Sequence, residues 1–185
     1  MTRALSPQTL TEIDRRLVAA WAADCAERVL PVFETDAPTD DRVRDAIERA
    51  RAFARGELTA AGQIKRRFVA GRAARVATQP ASIAAARSAA QAAGVAHMGA
   101  HALGAAAYAV KAVTLSNPDA SEGAKEVQWQ LARLSPEQAA ALRRLPLLGE
   151  NLSGPLGSGL LVSGALGATI REIQLALGAA DRGTP

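Results

Sequence analysis

Residues 81–115, ASIAAARSAAQAAGVAHMGAHALGAAAYAVKAVTL, consist mostly of alanine and other small side chains. Alanine loses no side-chain entropy in a helix and has the highest helix propensity, so such a stretch folds as helix and packs closely on its neighbours. It is longer than an ordinary globular helix. Gly94, Gly99 and Gly104 recur every five residues, a spacing that keeps no single helix face. They mark either a break or places where a neighbouring backbone comes close. The 185-residue chain as a whole has 49% hydrophobic residues and only 3% aromatic ones. No run of β-branched or aromatic residues alternates as a half-buried strand would. The expected fold is all-α, a compact bundle of about six to seven helices with no sheet.

The helix signals can be placed along the chain. A first helix is expected over residues 11–33, with Ile13, Leu17, Trp21, Ala26, Val29 and Leu30 in one apolar stripe and Pro31 kinking or stopping it. Thr39 caps a second, with Asp40 and Asp41 against the positive end of its dipole. Its inner face is Val43, Ile47, Ala50 and Ala54, and Gly56 stops it. A third, basic helix is expected over residues 59–77, with Ile64, Phe68 and Val76 buried and a break at Gln79–Pro80. After residues 81–115 the chain turns at Ser116–Asn117–Pro118, and a fifth helix covers 121–134 with Val127 and Leu131 inward. SPEQ at 135–138 is a capping box with Pro136 in the first turn of a sixth.

GENLSGPLGSG at 149–159 has the composition of a flexible connector. Residues 160–178 then form a last helix carrying Leu160, Leu161, Leu166, Ile170, Ile173 and Leu177. A soluble monomer avoids a bare face of that kind. The helix is expected to pack back on its own domain or, the favoured arrangement, across a two-fold axis in a homodimer through residues 160–178. This divides the chain into an all-α unit, 1–148, and a connector plus packing or dimerisation helix, 149–185.

The net charge of +4 is concentrated locally. Between residues 49 and 75 eight basic residues (Arg49, Arg51, Arg55, Lys65, Arg66, Arg67, Arg72, Arg75) face one acid, Glu57. Such a stripe is a solvated helix face or a surface for an acidic protein. Without a stacking platform or a nucleic-acid motif, nucleic acid is not the expected partner. Cys25 is the only cysteine, which fits a reducing compartment, and the N-terminus has no continuous apolar run of a secretory signal. Residues 151–170 are uncharged but hold five Gly, one Pro and three Ser, so a soluble tail or a packing helix is expected there rather than a membrane span. The expected location is the cytoplasm.

Trp21, Asp24, Cys25 and Glu27 share two helical turns. Asp24 and Arg28 stand four apart in the acid-first orientation that stabilises a helix. Arg42, Arg44 or a histidine is the other kind of partner for Asp24. His97 and His101, spaced i and i+4, would share a helix face with Tyr108 beyond them. Two histidines at that spacing suit a metal, but Met98, Gly99 and Ala100 replace the general base of HExxH, and a third ligand would have to come from Asp24, Glu27 or Cys25. Imidazoles satisfied by carboxylates between helices are the plainer arrangement, and neither metal nor cofactor is expected. Cys25 sits mid-helix in an apolar stretch, where a cysteine is a small hydrophobe. No phosphate-binding loop, dinucleotide fingerprint or serine elbow is present.

Two function classes remain. One is a non-enzymatic binding protein whose cluster of Trp21, Asp24, Glu27, Arg42, His97, His101 and Tyr108 fixes helix packing or lines a recognition cleft. The other is a small-molecule enzyme or binder, with Asp24, His97 or His101 as acid/base and Trp21 and Tyr108 as walls. A cavity of several hundred Å³ at those side chains separates the two, since ligand sites have about that size.

WAADCAERVLPVFE (21–34), DDRVRDAIERARAFARGE (40–57) and AAGVAHMGAHALGAAAYAVKAV (92–113), in that order, resemble the immunity-5-like group of bacterial immunity proteins from polymorphic-toxin systems. Trp21, Asp24, Cys25, Glu27, Arg42, Arg44, Glu48, Arg51, His97, His101 and Tyr108 are among the residues that carry the resemblance, which spans about residues 10–134. Val43 stands where the pattern has proline and Phe53 where it has tryptophan, and neither change removes a charge. The resemblance implies a compact all-α domain that binds and neutralises a cognate toxin protein in the cytoplasm of the producing cell. It brings no catalytic residues, and it does not extend to the Gly-rich region after Leu148.

Overall fold

The amides of Gly99 and Ala100 decide how the alanine-rich stretch folds. They donate to the carbonyls of Thr9 and Gln8, each at 3.0 Å, instead of to a preceding helical turn. The stretch therefore breaks into two helices. In this computed structural model residues 6–66 and 68–181 are described, apart from the side chains of residues 64–66, 180 and 181. Ten α-helices and no strand occur among the described residues. A 3-10 turn (Pro7–Thr9) precedes α1 (Glu12–Arg28), α2 (Leu30–Asp36), α3 (Arg42–Ala54), α4 (Ala60–Arg66) and α5 (Val69–Ala73). After them come α6 (Pro80–Gly94), α7 (His101–Ser116), α8 (Glu122–Ala132), α9 (Pro136–Arg143) and α10 (Gly164–Asp181).

The class is all-α as expected, but three of the expected helices are each divided in two, which raises six to seven helices to ten. The first helix breaks at Val29 (φ −107°, ψ 4°), with Pro31 in the opening turn of α2 where its missing N–H costs nothing. The basic segment gives α4 and α5; it contains Gly62 and Gly71, which are poor helix formers. The third division is the one at residues 95–100.

α6 and α7 are the centre of the fold. Gly94 meets His101, Gln91 meets Gly104, and the Ser88 hydroxyl donates to the Ala105 carbonyl at 2.8 Å, so the two helices run antiparallel. Every residue from 102 to 110 is buried. Alanine makes this possible, because small side chains let α1, α2, α3 and α5 close on α6, and α1, α8 and α10 close on α7. α9 lies on α1, where the Gln138 carboxamide donates to the Leu17 carbonyl (3.2 Å), and it opens on the expected capping box: Gln138 N–H donates to Ser135 Oγ (3.2 Å) and Ser135 N–H to Gln138 Oε1 (2.9 Å).

Several expected core positions move. Ile13 is 75% exposed, and the buried face of α1 includes Val18, Trp21, Ala22 and Cys25, with Val29 buried just beyond its end. Phe68 and Val76 are exposed at 62% and 55%, while Ala70, Ala73 and Ala77 meet the core in their place. Residues 149–159 are not a slack connector. The buried Gln8 carboxamide donates to the Ser153 carbonyl (2.6 Å) and accepts from the Leu156 amide (2.9 Å). Leu156 is fully buried. Glycine here supplies turns rather than slack. Leu161, Leu166, Ile170, Ile173 and Leu177 are buried as well, and α10 packs on α7, α8 and α9. That face is covered within one chain, so the bare surface that favoured a homodimer is not there; Leu160, expected with this set, is exposed. Among the described residues no helix is long and apolar enough to cross a membrane.

Candidate functional site

The residues expected to form one polar cluster fall into three places. The first is the seam between α1 and α3. Arg51 reaches from α3 to Asp24 Oδ1 (2.8 Å) and Glu27 Oε1 (2.5 Å) on α1. Its hydrogen bond holds the Glu27 carboxyl below its usual range. None of the expected partners of Asp24 meets it. Arg28 pairs with the buried Glu126 (2.8 Å) and stacks over Trp129, Arg42 pairs with Asp40 (2.5 Å), and Arg44 pairs with Glu34. The direction in which each side chain leaves its helix decides this, and Arg51 is the one that crosses the seam.

The second place is the core. Trp21 is buried, and its indole N–H donates to the Gln130 carbonyl at 2.8 Å, tying α1 to α8. Cys25 beside it is fully buried; burial pushes its thiol well above the usual range, and the carboxylates of Glu126 and Asp24 add to the shift. A thiol held protonated is no nucleophile.

The third place is a cleft of about 410 Å³ beside the α6–α7 turn. His97 lies in that turn and His101 opens α7, so the two imidazoles do not form a helical i, i+4 pair. Both nevertheless line the cleft, together with Gln91 and Tyr108. Met98 and the loop residues Pro155, Leu160 and Leu161 make its apolar side. Two glycines seat the polar wall. A Cβ at Gly94 would stand 2.9 Å from His101 Cγ, and one at Gly104 would stand 2.5 Å from Gln91 Oε1. So placed, His101 Nδ1–H donates to Gln91 Oε1 at 2.7 Å. The five-residue spacing of the glycines thus marks both a break and close approaches.

Among the described residues no three His, Cys, Asp or Glu side chains gather as a metal site would require. Asp24 and Trp21 do not line the cleft, so the pocket expected to join them to His97, His101 and Tyr108 is not assembled. Sequence reasoning found His97, His101 and Tyr108 but missed Gln91 and the loop that closes the cleft. Gly94 and Gly104, the glycines that seat this wall, were the available signal.

The basic stripe is uneven. Arg51 is spent on Asp24 and Glu27, and Arg55 on Glu57 (2.6 Å). Arg72 and Arg75 are exposed on and just after α5, and neither forms an ion pair among the described residues. Phe68 and Val76 are exposed on the same segment. The side chains of Lys65 and Arg66, and the whole of Arg67, lie outside the described residues.

No curated protein and no solved structure matches this chain. One family does, over most of its length and over all of α1–α8: the chain belongs to the Imm-5 like putative immunity protein family, whose sequence pattern it matches over residues 8–137.

Proposed function

We propose that this protein is an immunity-type binding protein that neutralises a cognate bacterial toxin by non-covalent association in the cytoplasm of the producing cell. The observation that carries the reading is the family match over residues 8–137. The surface of α5 supports it. Phe68 and Val76 are large apolar side chains left in solvent beside Arg72 and Arg75. Aromatic and arginine side chains are the types enriched at the centres of protein interfaces. Guanidinium groups without an internal partner favour an acidic surface opposite and speed its encounter. In this reading residues 1–148 are the immunity unit, and residues 149–185 brace it through Gln8 and α7 without meeting the toxin. Co-expression with the toxin encoded by the neighbouring gene tests the reading: cells carrying both survive, and cells carrying the toxin with Phe68→Asp lose protection. Death of cells carrying the unmodified protein would remove it.

A further inference from the structure

The cleft beside the α6–α7 turn contains polar groups that the protein itself leaves unused. Tyr108 is only 4% exposed and lines the cleft, yet its hydroxyl makes no hydrogen bond among the described residues. A buried phenol ordinarily finds a partner. Gln91 gives its carboxamide oxygen to His101, which leaves its two N–H groups to donate elsewhere. His97, exposed in the turn, brings an imidazole to the same wall. Arg87 adds positive potential behind it, its guanidinium 5.8 Å from the centre of the Tyr108 ring. Among the described residues no aspartate or glutamate lines the cleft.

The opposite side is apolar. Met98 and Leu161 are partly or wholly buried, whereas Leu160 is left 77% exposed on the loop. An anion-accepting wall facing an apolar wall across about 410 Å³ is the usual arrangement of a small-molecule site, where a few polar groups orient a mostly apolar ligand. A cation would meet donors, with a guanidinium behind them and no carboxylate among the described lining residues to pair it. The seating glycines, Gly94 and Gly104, keep His101 and Gln91 in place before any ligand arrives.

We propose that this cleft binds a small organic carboxylate with an apolar body, its head on the Tyr108 hydroxyl, the Gln91 N–H groups and the His97 imidazole, and its body on Met98, Leu160 and Leu161. The proposal goes beyond toxin binding and does not rest on it, since the cleft shares no residue with the α5 surface. The test is titration of the full-length protein with phenylacetate and hexanoate, followed through the ring protons of His97 and His101. Phenylacetamide and pentylamine, with the same bodies and a neutral or positive head, are the comparison. At least one carboxylate should shift both rings saturably, the amide should bind about tenfold more weakly, and the amine should not bind. Tyr108→Phe keeps the ring and should weaken the carboxylate about tenfold. Leu160→Glu places a negative charge at an exposed rim position and should abolish binding. No saturable shift with either carboxylate, equal binding of the amine, or undiminished binding to Tyr108→Phe overturns the proposal.

Discussion

The imidazole of His101 rests on the bare Cα of Gly94, where an added methyl group would stand 2.9 Å from its Cγ. The same device recurs one step along, where Gly104 leaves room for the Gln91 carboxamide. Together these two contacts fix the 2.7 Å hydrogen bond between His101 and Gln91. Gly94→Ala should therefore displace the imidazole and strain the α6–α7 crossing, at a cost of about 1–3 kcal/mol. Chemical denaturation measures this, and a stability equal to that of the unmodified protein would mean that the ring moves aside freely.

Gln8 acts as a clasp between the start of the chain and the 149–159 loop. Its carboxamide satisfies the Ser153 carbonyl and the Leu156 amide, and all of it is buried. Gln8→Met keeps the volume but removes both bonds. The loss should be about 1–3 kcal/mol, because the Leu156 amide is left buried without a partner. Hydrogen exchange at Leu156 should rise with it; slow exchange retained at that amide would show another acceptor.

α10 is predicted to be part of the folding unit. Ile173 is fully buried, so Ile173→Ala should cost about 2–5 kcal/mol. A chain ending at Leu148 should lose cooperative unfolding, since α7 and α9 would be stripped of their cover. A stable, cooperatively unfolding truncated chain would instead establish residues 149–185 as an independent appendage.

Acid should weaken the fold through carboxylates that are hydrogen-bonded only when it is formed. Asp36 ties the end of α2 to the entry of α6, accepting from the Thr78 hydroxyl (2.6 Å), the Thr78 amide (2.7 Å) and the Gln79 amide (3.1 Å). These bonds lower its pKa from 3.8 to about 2. A carboxylate depressed on folding contributes its stability in full above its unfolded value and loses it as pH falls through the folded one. The Asp36 contribution is thus present above 3.8 and disappears toward 2. Glu27 is also lowered, chiefly by the Arg51 hydrogen bond, and Asp14, whose burial alone would raise it, is lowered by bonds from Arg144 and Thr11. Asp36→Asn should flatten the stability–pH curve in that acid range; an unchanged slope would assign the acid sensitivity to other groups.

The helical class, the capping box at Ser135 and the breaks at Pro31 and Pro80 were legible in the sequence, because each depends on residues a turn or two apart. What was not legible depends on distant contacts. The division at residues 95–100 rests on two amides paired with Gln8 and Thr9 from the start of the chain. Choosing Arg51 over Arg42 and Arg44 as partner of Asp24 requires knowing how α3 crosses α1. Phe68 and Val76 were expected inside because they are apolar, but their neighbours Ala70, Ala73 and Ala77 already close that side of the core. Apolar side chains are common on surfaces, so hydrophobicity alone does not place them. At the site, His97, His101 and Tyr108 were recognised as polar residues in an alanine-rich stretch, whereas the loop that faces them is brought there by the Gln8 clasp.

Mixing the purified protein with the neighbouring-gene toxin, rendered inactive at its own catalytic site, measures the central claim most directly. Isothermal titration should give a saturable complex that weakens at higher salt. It should also weaken by at least about tenfold in Phe68→Asp and in the Arg72→Glu, Arg75→Glu double variant, as truncation or reversal at an interface centre does. No heat of binding to that toxin at any salt concentration, or an affinity untouched by both variants, would contradict the account.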